Sequence, residues 1–149
     1  MGVMGGSASA EINAPIERCF ALAADVDDIA SWQDGVVAVE VLERDDDGRA
    51  LVAEITNDAK VRTIKTRVRF AYDEPNGLRW KQEKGDLKSL RGSWTFVAAG
   101  AGTTATYELE IDPGRVLGML ARGPVVDRVR ELMVNARPDQ LKRVAEAGA

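Results

Sequence analysis

Five polar side chains fall on strand faces that are otherwise apolar: Asn57, Thr66, Tyr72, Gln82 and Tyr107. A buried polar group needs a hydrogen-bonding partner, so each is held by protein or water, or meets a ligand. Gln82 and Tyr107 are the best placed for a ligand, since a tyrosine hydroxyl can orient a carbonyl or phenol while its ring packs. Asn57 and Tyr72 stand at strand ends, where they could equally face solvent. Harder chemistry is scarce. The chain has no histidine and a single cysteine, Cys19. That removes the usual general base, the usual metal ligand and any Ser-His or Cys-His nucleophile. Cys19 sits on an apolar helix face and reads as a buried, inert thiol. Asp25, Asp27 and Asp28 resemble a carboxylate cluster, but helix ends attract Asp for capping. No metal site and no cofactor are predicted. The segment Gly85–Gly92 has glycines and basic residues but lacks the Gly-Lys-Ser/Thr ending of a phosphate loop.

The elements that must position these groups are legible from periodicity. Ser7–Asn13 reads as a first strand. Pro15 suits the first turn of a helix, in which Ile16, Cys19, Phe20 and Ala23 form one apolar face. Asp27 is positioned to cap a second short helix ending at Trp32. Strands follow, with Val37, Val39 and Val41 on one face of the first and Leu51, Ala53, Ile55 and Asn57 together on the next. Ile64, Thr66, Val68, Phe70 and Tyr72 alternate with Thr63, Lys65, Arg67 and Arg69. Leu78, Trp80 and Gln82, then Leu90, Gly92, Trp94 and Phe96, then Ala105, Tyr107, Leu109 and Ile111 complete three more strands. The short turns between them imply antiparallel pairing. The basic outer positions, continued by Arg79 and Lys81, read as a solvated face balanced by Glu40, Glu54, Glu83, Glu108 and Glu110.

The last segment is helical but holds two prolines. At 100° per residue, Val125, Val126, Val129, Leu132, Met133 and Ala136 share about a third of the circumference. After Pro138 the apolar set is Leu141, Val144 and Ala145, rotated by roughly 110°. Pro138 crowds the Val134 carbonyl, so a kink is expected there. Three pieces are predicted: an approach segment of Val116, Leu117, Met119 and Leu120, a main helix from about Pro124, and a re-aimed tail after about Arg137. The approach segment reads as core filling or as a gate.

The chain has 149 residues, net charge −4 and 45% hydrophobic residues, enough for one domain with a real core. Residues 1–7 read as a flexible leader and 8–149 as a single α+β domain. The acidic balance argues against nucleic acid as a partner, no apolar run is long enough for stable membrane insertion, and the N-terminus lacks the pattern of a secretory signal. A cytoplasmic monomer or weak homodimer is the expectation.

Ala14-Pro15, Phe20, Asp25 and Trp32, then Gly92, Trp94, Phe96, Gly102-Thr103, Tyr107 and Leu109, together resemble the START-like (SRPBCC) superfamily, in particular its polyketide cyclase/dehydrase, lipid-transport and coenzyme Q-binding-like group. The resemblance covers nearly the whole chain after Ser7. It implies a helix-grip fold, a curved seven-stranded antiparallel sheet wrapped around a long C-terminal helix, with two short helices after the first strand and a cavity of roughly 300–1,000 Å³. The candidate ligand-binding residues are then Trp32, Asn57, Thr66, Val68, Phe70, Trp80 and Gln82 from the first two-thirds of the chain. Trp94, Tyr107, Met119, Leu120, Val129 and Met133 complete the set. Any one of the apolar members reads first as plain core. The implied function is binding of a small lipophilic molecule such as a polyketide, quinone or lipid. A cyclase/aromatase working by orientation, or a protein-interaction module with an exposed apolar rim around Trp32, are the alternatives.

Overall fold

The computed structural model describes residues 4–59, 62–115, 118 and 123–147. In chain order the elements are β1 (Met4–Ile12), α1 (Ile16–Ala24), a 3-10 helix (Val26–Ser31), β2 (Val36–Arg44), β3 (Ala50–Asp58) and β4 (Thr63–Asp73). Then come β5 (Gly77–Gly85), β6 (Ser89–Ala99), β7 (Gly102–Asp112), α2 (Gly123–Arg130), a π-turn (Glu131–Asn135) and α3 (Arg137–Ala147). The seven strands form one antiparallel open sheet in the order β1-β7-β6-β5-β4-β3-β2. Strands β2 to β7 are a meander, and β1 returns to pair with β7. This is the expected helix-grip α+β architecture.

Strand alternation places the core. Ile64, Thr66, Val68 and Phe70 are buried along β4, and Ala105, Tyr107, Leu109 and Ile111 along β7. Each large apolar side chain taken fully from water adds about 1.5–3 kcal/mol. The opposite face carries the charges, paired across strands: Arg69 with Glu83, Arg91 with Glu110, and Lys65 and Arg67 with Glu54.

Four local readings change. β1 begins at Met4 rather than Ser7: Met4 to Ser7 pair with Ile111 to Glu108, and Met4 is buried. On β2 a bulge between Val36 and Ala38 shifts the register, so Val36 is buried and Val37, expected inward, is 59% exposed. One extra residue flips the side chains that follow it. Asp27 does not cap the second short helix. The 3-10 helix follows Asp25 without a side-chain cap, and both Asp27 carboxylate oxygens accept from Arg44 at 2.9 Å. This ion pair holds the Asp27 carboxyl below its usual range. The Asp25 carboxyl is instead pushed up, first by lost hydration and then by the charges of Asp28 and Asp27.

The C-terminal helix supplies the fourth change. Its break lies in the π-turn, before Pro138 rather than at it. Pro138 has no N–H for the Val134 carbonyl, and the helix widens: Ala136 donates to Glu131 O at 3.2 Å, and α-type bonding resumes with Gln140 donating to Ala136 O at 3.2 Å. One line of buried positions runs Val129, Met133, Arg137, Leu141 and Ala145, four apart, with Pro138 and Gln140 buried beside it. In an unbroken α-helix steps of four drift by about 40° each, and the wider turn takes up part of that drift. The tail buries Leu141 and Ala145 as expected, with Val144 half-buried. Val134, outside the expected stripe, is buried too. The approach segment lies outside the described residues. Two long basic side chains tie this helix to the edge strand: Arg130 donates to Gly5 O at 3.0 Å and Lys142 to Glu11 O at 2.7 Å.

Candidate ligand-binding site

Between the sheet, the short helices and the C-terminal helix lies a cavity of about 60 Å³. It is far smaller than expected, because the side chains around it fill the lumen. The aromatic wall is continuous. Trp94 meets Tyr107 edge-on at 4.8 Å, Trp80 lies 5.6 Å from Tyr107, and Phe70 lies 6.2 Å from Trp80. Gly92 makes this packing possible. It stands directly opposite Trp80 across β5 and β6, and the indole lies where a Cβ at position 92 would be.

Eight of the expected residues line the cavity: Asn57, Thr66, Val68, Phe70, Trp80, Trp94, Tyr107 and Met133. The others are elsewhere. Trp32 is 9% exposed and packs behind the wall, its ring 6.4 Å from Trp94. Val129 is buried under the helix without bordering the cavity. Gln82 donates its amide to Leu87 O at 2.9 Å, which fastens the β5–β6 connection. Tyr72, at the strand end, donates to Ala50 O at 2.6 Å, and burial drives its phenol up to about 12. Met119 and Leu120 lie outside the described residues.

Two polar lining residues were not expected, Gln33 and Arg137. Arg137 is 2% exposed. Its Nη1 donates to Asp34 O at 2.9 Å and to the Gln140 side-chain oxygen at 2.8 Å, and its guanidinium sits 5.8 Å from the centre of the Tyr107 ring. Burial raises the Tyr107 pKa, and the neighbouring Arg137 charge and hydrogen bond pull it partly back. Tyr107 therefore stays protonated at neutral pH and can donate a hydrogen bond but not act as a base. The sequence signal for Arg137 was its place four residues after Met133, hidden by its reading as a helix boundary.

A larger concavity of about 1020 Å³ opens on the outer face over β1, β7, β6, β5 and β4. It is a dish, with small Gly5, Ser7, Ala71 and Ser93 ringed by long charged side chains. Several of those charges are already paired, and the dish lies on the solvated face of the sheet, so the small cavity beneath the C-terminal helix is the better ligand site.

A sheet gripping a C-terminal helix around an apolar lumen with a few inward polar groups defines the ligand-binding fold of START and polyketide cyclase-like proteins. The profile of the polyketide cyclase/dehydrase and lipid transport family matches residues 12–136, and the chain belongs to that family. No curated protein matches the chain. Among solved structures, a Thermus thermophilus protein is 21% identical over 98% of this chain and 99% of its own, with a TM-score of 0.84. A START superfamily protein from Mycobacterium smegmatis is 17% identical over 97% and 99%, with a TM-score of 0.74. The Zhui aromatase/cyclase from Streptomyces sp. R1128 is 18% identical over 97% and 94%, with a TM-score of 0.80. At such identities these are likenesses of fold. No helix among the described residues is long and apolar enough to cross a membrane.

Proposed function

We propose that this protein binds a small lipophilic molecule, polyketide-, quinone- or lipid-like, between the sheet and the C-terminal helix. The observation that carries the reading is the cavity between sheet and helix, walled by aromatic rings yet bordered by Thr66, Asn57, Gln33, Tyr107 and Arg137. Simple core filling has no use for that many polar groups around one void, because each must be satisfied. At about 60 Å³ the cavity is smaller than such a molecule, so binding requires the wall to yield. Met133 is the adaptable member of that wall, being unbranched and easily rotated. The interaction-module alternative rests on an exposed rim at Trp32, and that ring is buried. A cyclase/aromatase role is a second reading, favoured by Tyr107, which can donate to a ketone held in the lumen. Native mass spectrometry of protein expressed in several hosts tests the binding reading. Co-purification of a lipophilic molecule supports it. Empty protein throughout, with no binding of polyketide, quinone or fatty-acid probes, refutes it.

A further inference from the structure

Arg137 is a buried cation without a counter-charge. No ion pair joins it to any carboxylate among the described residues. Its partners are neutral: a backbone carbonyl and a side-chain amide on Nη1, and the Tyr107 hydroxyl nearby. Its Nε is buried with no hydrogen-bond partner. Removing a guanidinium from water without a paired charge carries a penalty of several kcal/mol, and an orphaned N–H adds to it. An apolar or amide side chain would satisfy the helix start at this position more simply. The cation does not serve the outer surface, since Arg137 is almost fully buried and borders the lumen. Its neighbours in the wall are aromatic: Tyr107 beneath it, with Trp94 and Trp80 beyond.

We infer that Arg137 is the anchor for a carboxylate, and that the occupant of the lumen is a flat apolar molecule bearing one such group. This rests on the lumen-binding reading and narrows it. A guanidinium side edge, Nε with its neighbouring Nη2, matches the two oxygens of a carboxylate, and such charge-assisted bonds are about twice as strong as neutral ones. The same geometry gives a neutral amide only one useful acceptor and sets its NH₂ against the cation.

The test compares benzoate with its neutral isostere benzamide on the intact chain, read by tryptophan fluorescence and calorimetry. One charge-assisted hydrogen bond corresponds to roughly tenfold to hundredfold in affinity. Benzoate is expected to bind tighter by that margin, and the margin to fall to about twofold or less in Arg137→Gln. NMR of the unaltered protein supplies a readout that does not depend on the variant folding. A protected arginine Nε–H resonance should move on adding benzoate and stay still with benzamide. Equal binding of the two probes, a margin that persists in Arg137→Gln, or an unmoved Nε–H resonance at benzoate saturation overturns the anchor while leaving the lumen reading intact. Binding of neither probe also overturns the anchor, whereas the lumen reading is refuted only by the failure of the polyketide, quinone and fatty-acid probes.

Discussion

Replacing Gly92 with alanine probes the site with one methyl group. An ideal Cβ at this position lies 2.6 Å from Trp80 Cε2 and Cζ2 and 2.7 Å from its Nε1. Ordinary carbon contacts begin at about 3.5 Å, so the indole must retreat by roughly 0.9 Å. It has little room, with Phe70 at 6.2 Å and Tyr107 at 5.6 Å between ring centres. Overpacking of this kind costs about 1–3 kcal/mol. For a chain of 149 residues the unfolding entropy is about 0.3 kcal/mol per degree, so Tm should drop by about 3–10 °C. Thermal and urea unfolding measure the loss, and a shift in tryptophan emission reports the displaced ring. The cause is isolated by repeating the substitution in a Trp80→Ala background. There the clash is absent, and alanine should be neutral or better by about 0.5–1 kcal/mol, since glycine is the poorer strand residue. The same loss in both backgrounds would refute the reasoning, because the penalty would then come from the backbone and not from the wall of the lumen.

Met133→Ala removes the adaptable part of the wall. It should destabilise the empty protein by about 2–5 kcal/mol and make added toluene raise Tm more than it does in the unaltered chain; an identical toluene response in both would sink the idea. The two tyrosines should resist ionisation. From an ordinary value of 10.0, Tyr72 is pushed to about 12 by burial, and Tyr107 is raised for the same reason. The folded state thus holds protons that the unfolded state releases above pH 10, so these groups make stability level below pH 10 and falling as pH rises toward about 12. Phenolate absorbance that grows between those limits while the protein stays folded is the contrary result. Thr103→Val removes the buried bond from the Thr103 hydroxyl to Ala14 O, 2.8 Å long. The carbonyl is left unpaired, so a loss of about 1–3 kcal/mol in urea unfolding is expected, and no loss would mean that Ala14 O finds another donor.

Alternation made most of the sheet legible, because one face is buried and the other charged, and each strand from β4 to β7 repeats the pattern; on β3 it breaks, with Val52 and Ala53 both buried and Leu51, expected beside Ala53, only half-buried. Val37 shows the limit. A bulge leaves no mark in an alternating valine run, and only the pairing with β3 reveals it. Thr66, Asn57 and Tyr107 were found on the cavity because a polar residue on an apolar face is visible in sequence. Gln82 has the same sequence signature, yet its amide turns to Leu87 O, a choice made by the β5–β6 connection. Arg137 was missed for the opposite reason. A charged residue beside a proline reads as a solvated helix boundary, and nothing in its spacing announces that the helix widens just before it. The cavity volume depends on how Trp80, Trp94 and Tyr107 interlock, which no periodicity encodes.

The π-turn at Glu131–Asn135 also bears on how chains of this kind differ in length. A wide turn of this type accommodates one residue more than the α-helical turn it replaces. A chain shortened by one residue there, with something other than proline at position 138, can keep the same side chains on the lumen wall with ordinary helical bonding. A deletion between Arg137 and Leu141 has no such outlet. It turns everything beyond it by about 100° and carries Leu141 and Ala145 from the core toward solvent. Gaps in this helix are therefore not equivalent, and aligning a relative one residue out of step would put the wrong residue opposite Tyr107.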